Sequence, residues 1–167
     1  NKLATLRNSR GKNNPDVAAW ALKILGFGAH GITVHPRPDE RHIRASDVPR
    51  LSQLVAEYNG PDHKHSVEFN VEGYPSEDFL SLVERTRPHQ ATLVPDPPDA
   101  ITSNAGWDLK ANKEFLAKVI QRLNAAGIRS SLFVEPSRFD SAQEASLREL
   151  KPGRIELYTE SYADAYA

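Results

Sequence analysis

The chain has 167 residues, a formal net charge of −1 and no cysteine. With 39% hydrophobic and 26% charged residues it has the composition of an ordinary folded protein, which excludes a disordered segment. The lack of cysteine excludes disulfides and thiol chemistry, and the near-neutral charge gives no global field for nucleic acid or an acidic membrane, so any anion must be bound locally.

Short runs rich in Val, Ile, Leu, Phe and Thr predict buried parallel strands. They lie at residues 31–35, 66–71, 90–95, 129–135 and 154–159, with a further strand end at 1–3. Segments of helical periodicity lie between them, at residues 15–25, 46–58, 76–85, 109–126 and 141–150. The alternation of strand and helix predicts βαβ units around a parallel sheet.

The connections that follow the predicted strands, such as 36–45 and 96–108, are long and polar, whereas most connections that precede strands are short. This asymmetry is typical of a TIM (β/α)8 barrel, whose site is built by the loops after the strands. We therefore predict an α/β fold of this type, with about six of the eight βα units present. A doubly wound open sheet is the alternative, although no glycine-rich phosphate loop follows the first strand.

Residues 1–167 are predicted to form a single barrel domain, because no linker, repeat or low-complexity tract divides them. The chain begins as though within a strand, ends soon after the last predicted strand and contains no methionine, so we expect it to be trimmed at both ends. No apolar run approaches the roughly 20 residues that span a bilayer, and we expect a cytoplasmic protein.

The first complete strand ends in His35, and the loop after it carries Arg37 and His42. An imidazole can accept or donate a proton near neutral pH, and the cationic donors beside it can hold a phosphate or carboxylate. The alternative for His35 is a histidine hydrogen-bonded in the barrel mouth. A metal site is the weaker interpretation of these histidines, because no third ligand stands at a suitable spacing.

Two carboxylates fall within strands that otherwise suit burial, Glu68 and Glu156. Desolvation is expected to raise the pKa of each toward the range of a general base. A structural ion pair with a neighbouring arginine is the alternative.

Two loops carry further candidate binding groups. Arg10 lies in a basic, glycine-containing segment that can hold an anion or simply be solvated. Thr102 offers a hydroxyl on the longest loop, and loops of that length often bind ligands.

Several segments, in their order along the chain, together resemble the family of pyridoxine 5′-phosphate synthases of vitamin B6 biosynthesis. They are residues 4–11, 31–43, 67–70, 93–95 with 101–102, and 155–159. The most specific is the pattern His-x-Arg-x-x-x-x-His that starts at His35. The resemblance implies a TIM barrel that condenses 3-amino-2-oxopropyl phosphate with 1-deoxy-D-xylulose 5-phosphate into pyridoxine 5′-phosphate, phosphate and water, with no metal or organic cofactor.

The resemblance also implies roles for individual residues. His35 and Glu68 take the positions of proton acceptors, and Glu156 that of a residue stabilising the transition state. The remaining positions are substrate contacts: Arg37, His42 and Thr102 for the deoxyxylulose phosphate, and Arg10 for the amino-ketone phosphate.

Asn1 and Lys2 stand where many family members have Asp-His, which leaves their substrate-binding role open. The family's proton-donating histidine and a phosphate-binding segment lie beyond the sixth strand, so we expect this chain to be incomplete for catalysis. The resemblance further implies a homo-oligomer with phosphorylated small-molecule substrates and no nucleic-acid or membrane partner. The alternatives are another phosphate-handling barrel, such as an aldolase or isomerase, and a non-catalytic partial barrel that binds phosphate esters.

Overall fold

The computed structural model describes residues 1–61, 66–96 and 105–166, and within them two helices are followed by alternating strands and helices. The elements are α1 (Lys2–Ser9), α2 (Val17–Gly26), β1 (Gly31–Val34), α3 (Asp47–Tyr58), β2 (Glu68–Gly73), α4 (Glu77–Thr86), β3 (Gln90–Leu93), α5 (Lys113–Ala125), β4 (Arg129–Val134), a 3-10 turn (Pro136–Arg138), α6 (Ser141–Leu150), β5 (Arg154–Leu157) and α7 (Glu160–Asp164).

The strands form one parallel sheet in which the spatial order is the chain order, β1-β2-β3-β4-β5. A doubly wound sheet reverses its strand order at a switch point, and this sheet does not within the described residues. Right-handed crossovers that always step in one direction place their helices on one face of the sheet. The structure therefore confirms an α/β fold of the TIM-barrel type and excludes the doubly wound alternative.

The two faces of the sheet differ in chemistry because neighbouring residues of a strand point to opposite sides. In β2, Phe69 and Val71 are buried in the hydrophobic core with the helices, whereas Asn70 and Glu72 lie on the other face. The helices supply aliphatic side chains to this core, among them Val48, Leu51, Val55, Leu80, Val83, Leu116, Ile120 and Leu123.

The polar face is concave. Arg154 on β5 contacts Glu68 on β2, with nitrogen and oxygen 3.0 Å apart, although two strands lie between them. In a flat sheet the backbones of these strands would be about 14 Å apart. On the same face Thr92 Oγ1 donates to Asn70 Oδ1 at 3.1 Å, which links β3 to β2. The sheet thus curls as part of a barrel, with a hydrogen-bonded polar interior.

One predicted element is corrected, and one short helix was not predicted. The strand end predicted at residues 1–3 is wrong, because Lys2–Ser9 is α-helical from its first turn, where Thr5 N donates to the Asn1 carbonyl at 3.0 Å. Ala4 and Arg7, one turn apart, are its buried residues, and this spacing of three is helical. The described residues therefore contain five strands instead of six, and α7 follows β5 without having been predicted.

The remaining predicted strands and helices are present, with shifts of a few residues at their ends. None of the helices in the described ranges combines the length and the apolar character needed to cross a bilayer.

A side chain cannot fit at Gly106, because the Cα of this residue lies against the backbone at the end of β4. A methyl group added there would overlap the Glu135 nitrogen and lie 2.6 Å from the Val134 carbonyl carbon. We expect Gly106→Ala to lower the free energy of unfolding of the full-length gene product by about 2 kcal/mol, measured by urea denaturation.

Gly26 is the matched control, because a Cβ at this last residue of α2 meets nothing within 4 Å. Gly26→Ala should leave the stability unchanged or slightly raised. Equal unfolding free energies for the two variants would contradict the close approach at Gly106.

Candidate active site

The carboxyl edge of the sheet brings His35 level with Glu72. Val34 pairs with Val71 in the parallel register, so the next residue of each chain segment stands at the same height. His35 is buried, and its backbone N–H donates to Asn1 Oδ1 at 2.9 Å. The side chain of Asn1 therefore braces the backbone at the end of β1.

The imidazole of His35 is held in its neutral form. Burial lowers its pKa to about 4, and the positive charges of Arg37, His42 and Arg41 act in the same direction. At neutral pH the ring can therefore accept a proton. Its Nδ1 lies 3.9 Å from Glu72 Oε2, close enough for the two groups to act on the same reacting molecule.

Glu72 and Glu156 form a coupled carboxyl pair across the curled sheet. The pKa of Glu72 is raised to about 7, mainly by burial. The negative charge of Glu156 and a hydrogen bond between the two carboxyls contribute to the rise, and the positive charge of the chain's amino group acts against it. Burial also raises the pKa of Glu156, against the hydrogen bonds from Thr92 and Glu72 that lower it. Glu72 is thus the member that keeps its proton longer, and near neutral pH it can accept or donate one.

Glu68, predicted as a proton acceptor, lies apart from His35 in the register of the sheet. It lies at the amino edge of β2, paired with Gly31 in the register, and its carboxylate forms ion pairs with Arg129 and Arg154. Partial burial acts to raise its pKa, but the hydrogen bonds and charges of the two arginines outweigh burial, and the pKa is lowered. The expected rise in pKa is therefore wrong, and the alternative of an arginine ion pair is confirmed.

Glu72 is the carboxylate that the sequence reasoning missed. It lies on the same face of β2 as Glu68 but four residues nearer the carboxyl edge. Counting from the residue level with His35 would have identified it, because active-site groups in barrels come from that edge.

The loop after β1 carries two of the predicted binding residues. Arg37 forms a buried ion pair with Asp96, with 2.7 Å between Nη2 and Oδ2. The ring of His42 stands edge-on to that of His35, with 6.1 Å between centroids. Its Nδ1 accepts a hydrogen bond from the Ile43 N–H at 2.9 Å, so the neutral ring carries its hydrogen on Nε2. Burial is the main cause that lowers the pKa of His42.

Two further predicted site residues, Lys2 and Arg10, are not among the contacts of this cluster. Lys2 and Arg10 are exposed, at the two ends of α1. Thr102 lies outside the described residues.

A cavity of about 550 Å³ adjoins His35 and Arg37, and Tyr74, Arg85 and Asp96 also line it. This volume is in the range of small-molecule sites. Within residues 1–61, 66–96 and 105–166 no group of three or more His, Asp or Glu side chains is placed to hold a metal ion.

The opposite pKa shifts of Glu72 and Glu68 predict opposite effects of one isosteric change. In the unfolded chain Glu72 loses its proton near pH 4.5 and in the folded protein near pH 7, so the group favours unfolding increasingly as the pH rises between these values. Glu72→Gln should therefore raise the free energy of unfolding at pH 8 by about 2 kcal/mol and change it little at pH 5.

Glu68→Gln is the matched variant. The pKa of Glu68 is lowered in the folded protein, so its charged form stabilises the fold above the ordinary pKa, and the variant should be less stable than the wild type at pH 8. The measurement is urea unfolding of the full-length gene product at both pH values. Loss of stability in Glu72→Gln at pH 8 would contradict the raised pKa of Glu72.

Known proteins match this chain at the level of fold and of sequence. One solved structure, D-psicose 3-epimerase from Clostridium cellulolyticum H10 with D-tagatose, superposes with a TM-score of 0.52 over 86% of this chain and 57% of that chain. The sequence identity is 12%, so this likeness concerns the fold alone.

The sequence relatives are much closer. The pyridoxine 5′-phosphate synthases of Bacteroides thetaiotaomicron and Porphyromonas gingivalis are 53% and 51% identical to it over 99% of this chain. The chain spans about 65% of the length of the first of these relatives and 64% of the second. The family model described as pyridoxal phosphate biosynthesis protein PdxJ matches residues 1–167. The chain therefore belongs to the PdxJ family.

Proposed function

We propose that the protein containing this chain is a pyridoxine 5′-phosphate synthase, which condenses 3-amino-2-oxopropyl phosphate with 1-deoxy-D-xylulose 5-phosphate and releases phosphate and water. The chain belongs to the PdxJ family, and one structural observation carries the proposal. A neutral histidine and a carboxyl group with a pKa of about 7 stand side by side at the carboxyl edge of the barrel. Such a pair suits a reaction with repeated proton transfers near neutral pH.

The reaction needs an imine to form, phosphate to be eliminated and a ring to close, and each step moves protons. We assign proton acceptance to His35 and Glu72, with Glu72 in place of Glu68. Glu72 can also return a proton, because both of its protonation states are populated near neutral pH. Glu156 is the more acidic member of the pair, and its carboxylate stabilises positive charge on an iminium nitrogen.

The phosphate groups need cationic and hydrogen-bond donors, which the nearly neutral chain supplies locally. We assign Arg37, His42 and Thr102 to the deoxyxylulose phosphate. The ion pair with Asp96 orients the Arg37 guanidinium beside the cavity. Arg10 is assigned to the amino-ketone phosphate, and its exposed position leaves it accessible to a ligand. Asn1 positions His35 through the hydrogen bond that its side chain accepts from the His35 backbone N–H.

We also propose that the protein works as a homo-oligomer in the cytoplasm.

The test is a phosphate-release assay on the full-length gene product, with each substrate alone and with both together. Release only with both substrates, and a product of the mass of pyridoxine 5′-phosphate, is the expected result. A thermal shift with deoxyxylulose phosphate but no release would favour the binding-module alternative. The absence of both a thermal shift and phosphate release would overturn the proposal.

The two glutamates of β2 give a matched activity prediction. Glu72→Gln keeps the shape of the side chain but removes the exchangeable proton, so kcat should fall by about 100-fold or more. Glu68→Gln changes an ion pair at the opposite edge of the sheet, and its kcat should stay within about threefold of the wild type once the folded fraction is allowed for. A larger loss in Glu68→Gln would reverse the assignment.

A further inference from the structure

An arginine with no role in the proposed chemistry is almost completely buried. Arg7, on α1, is 2% exposed. A buried guanidinium is costly unless its charge and its donors are satisfied. Its Nη1 donates to Asp47 Oδ1 at 2.6 Å, and its Nη2 donates to the carbonyl oxygen of His42 at 3.1 Å. One side chain of α1 thus reaches both the start of α3 and the loop that precedes it.

Asn8, the next residue of α1, adds to the same contact. Its side-chain nitrogen donates to the carbonyl oxygens of Glu40 and His42, at 2.9 and 2.8 Å. Its Oδ1 accepts from Arg7 Nε at 3.1 Å, so the two side chains support each other. The His42 carbonyl therefore accepts from both residues, and we call Arg7 and Asn8 together the α1 clamp.

The clamp acts on a loop whose backbone needs support. Glu40 has a φ of 53°, in the left-handed region that residues other than glycine seldom adopt. The Glu40 carboxylate accepts from the Ala45 N–H at 3.0 Å, and Asp47 Oδ2 accepts from the Arg44 N–H at 2.9 Å. The path of residues 36–46 is thus set by hydrogen bonds, several of which originate on α1.

The backbone at His42 determines what its side chain can offer. The ring accepts the N–H of the following residue, Ile43, on Nδ1, a contact that depends on the backbone angles at this point. With Nδ1 occupied as an acceptor, Nε2 is the hydrogen-bearing nitrogen. A change in the path of the loop would release Ile43 and let the hydrogen move to Nδ1.

We propose that Arg7 and Asn8 are positioning residues: by holding the carbonyls of Glu40 and His42 they fix the loop so that His42 offers its Nε2–H to a bound phosphate ester. This inference rests on the proposed function for the identity of that ester, the deoxyxylulose phosphate. The clamp lies on α1, away from the carboxyl pair, so it acts on binding of this substrate and leaves proton transfer to His35 and Glu72.

Asn8→Ala in the full-length gene product is the first test, because it removes two donors to the loop and retains the contact between Arg7 and Asp47. The KM for deoxyxylulose phosphate should rise about tenfold, as expected for lost hydrogen bonds to the loop, while kcat and the KM for the amino-ketone phosphate stay within about twofold. Asn8→Asp, which keeps the shape but lacks the N–H donors, should give a similar rise. Ser9→Ala is the control, since that hydroxyl donates to the Leu6 carbonyl within α1, and it should change none of these constants.

A second readout does not depend on turnover. Long-range proton–nitrogen NMR spectra of protein labelled with ¹⁵N-histidine should show His42 as the Nε2–H form in the wild type and in Ser9→Ala. In Asn8→Ala they should show a mixture of the two neutral forms. Unchanged substrate constants together with an unchanged His42 spectrum, even with a loss of stability, would overturn the inference and leave the clamp a purely structural contact. If the wild type releases no phosphate, the proposed function fails, and the His42 spectra alone then decide the clamp.

Discussion

The curl of the sheet is the constraint on which the remaining features depend. A flat parallel sheet would keep β2 and β5 three strand spacings apart, and their polar side chains would face solvent separately. The observed sheet instead brings Glu72 to Glu156 near one edge and Glu68 to Arg154 at the other. The same strands that supply Phe69 and Val71 to the hydrophobic core therefore enclose a polar interior on their opposite face.

The edge of the sheet at which a carboxylate lies decides its charge. Glu68 faces two guanidinium groups, which keep it ionised, whereas Glu72 faces another carboxyl group within a buried layer. His35 is shifted in the complementary sense, because burial and nearby positive charges make its neutral form the stable one. The lowered pKa of His35 therefore destabilises the folded wild type at acidic pH, and the raised pKa of Glu72 destabilises it at neutral and alkaline pH. This loss of stability is the cost of holding the two groups in their shifted protonation states.

Much of the architecture followed from local sequence patterns. The run Ile32-Thr33-Val34 before His35 predicted a strand that ends in a site, because β-branched residues favour buried strands and barrels place their chemistry after them. The short run at residues 1–3 was misread, since three residues, of which only Leu3 is apolar, do not distinguish a strand from the first turn of a helix.

The choice between the two glutamates of β2 needed more than the local pattern of the strand. Glu68 and Glu72 share one face of one strand, and they differ in their distance from the carboxyl edge and in the groups that the curled sheet brings to them. The partners of Glu68 are distant along the chain: Arg129 is 61 residues away and Arg154 is 86 residues away. The contacts of the α1 clamp, from Arg7 to Asp47, are likewise long-range and are invisible to any periodicity.

The distance along the chain between Glu72 and Glu156 has a consequence for the protein while it is being made. A ribosome adds about 5 to 20 residues per second, so on the order of ten seconds separate the emergence of β2 from that of β5. During this interval Glu72 lacks the carboxyl group of Glu156, whose negative charge and hydrogen bond help to raise its pKa in the folded protein. The carboxyl pair therefore forms only when the fifth strand docks, and a nascent chain that has formed only its first three strands is without it.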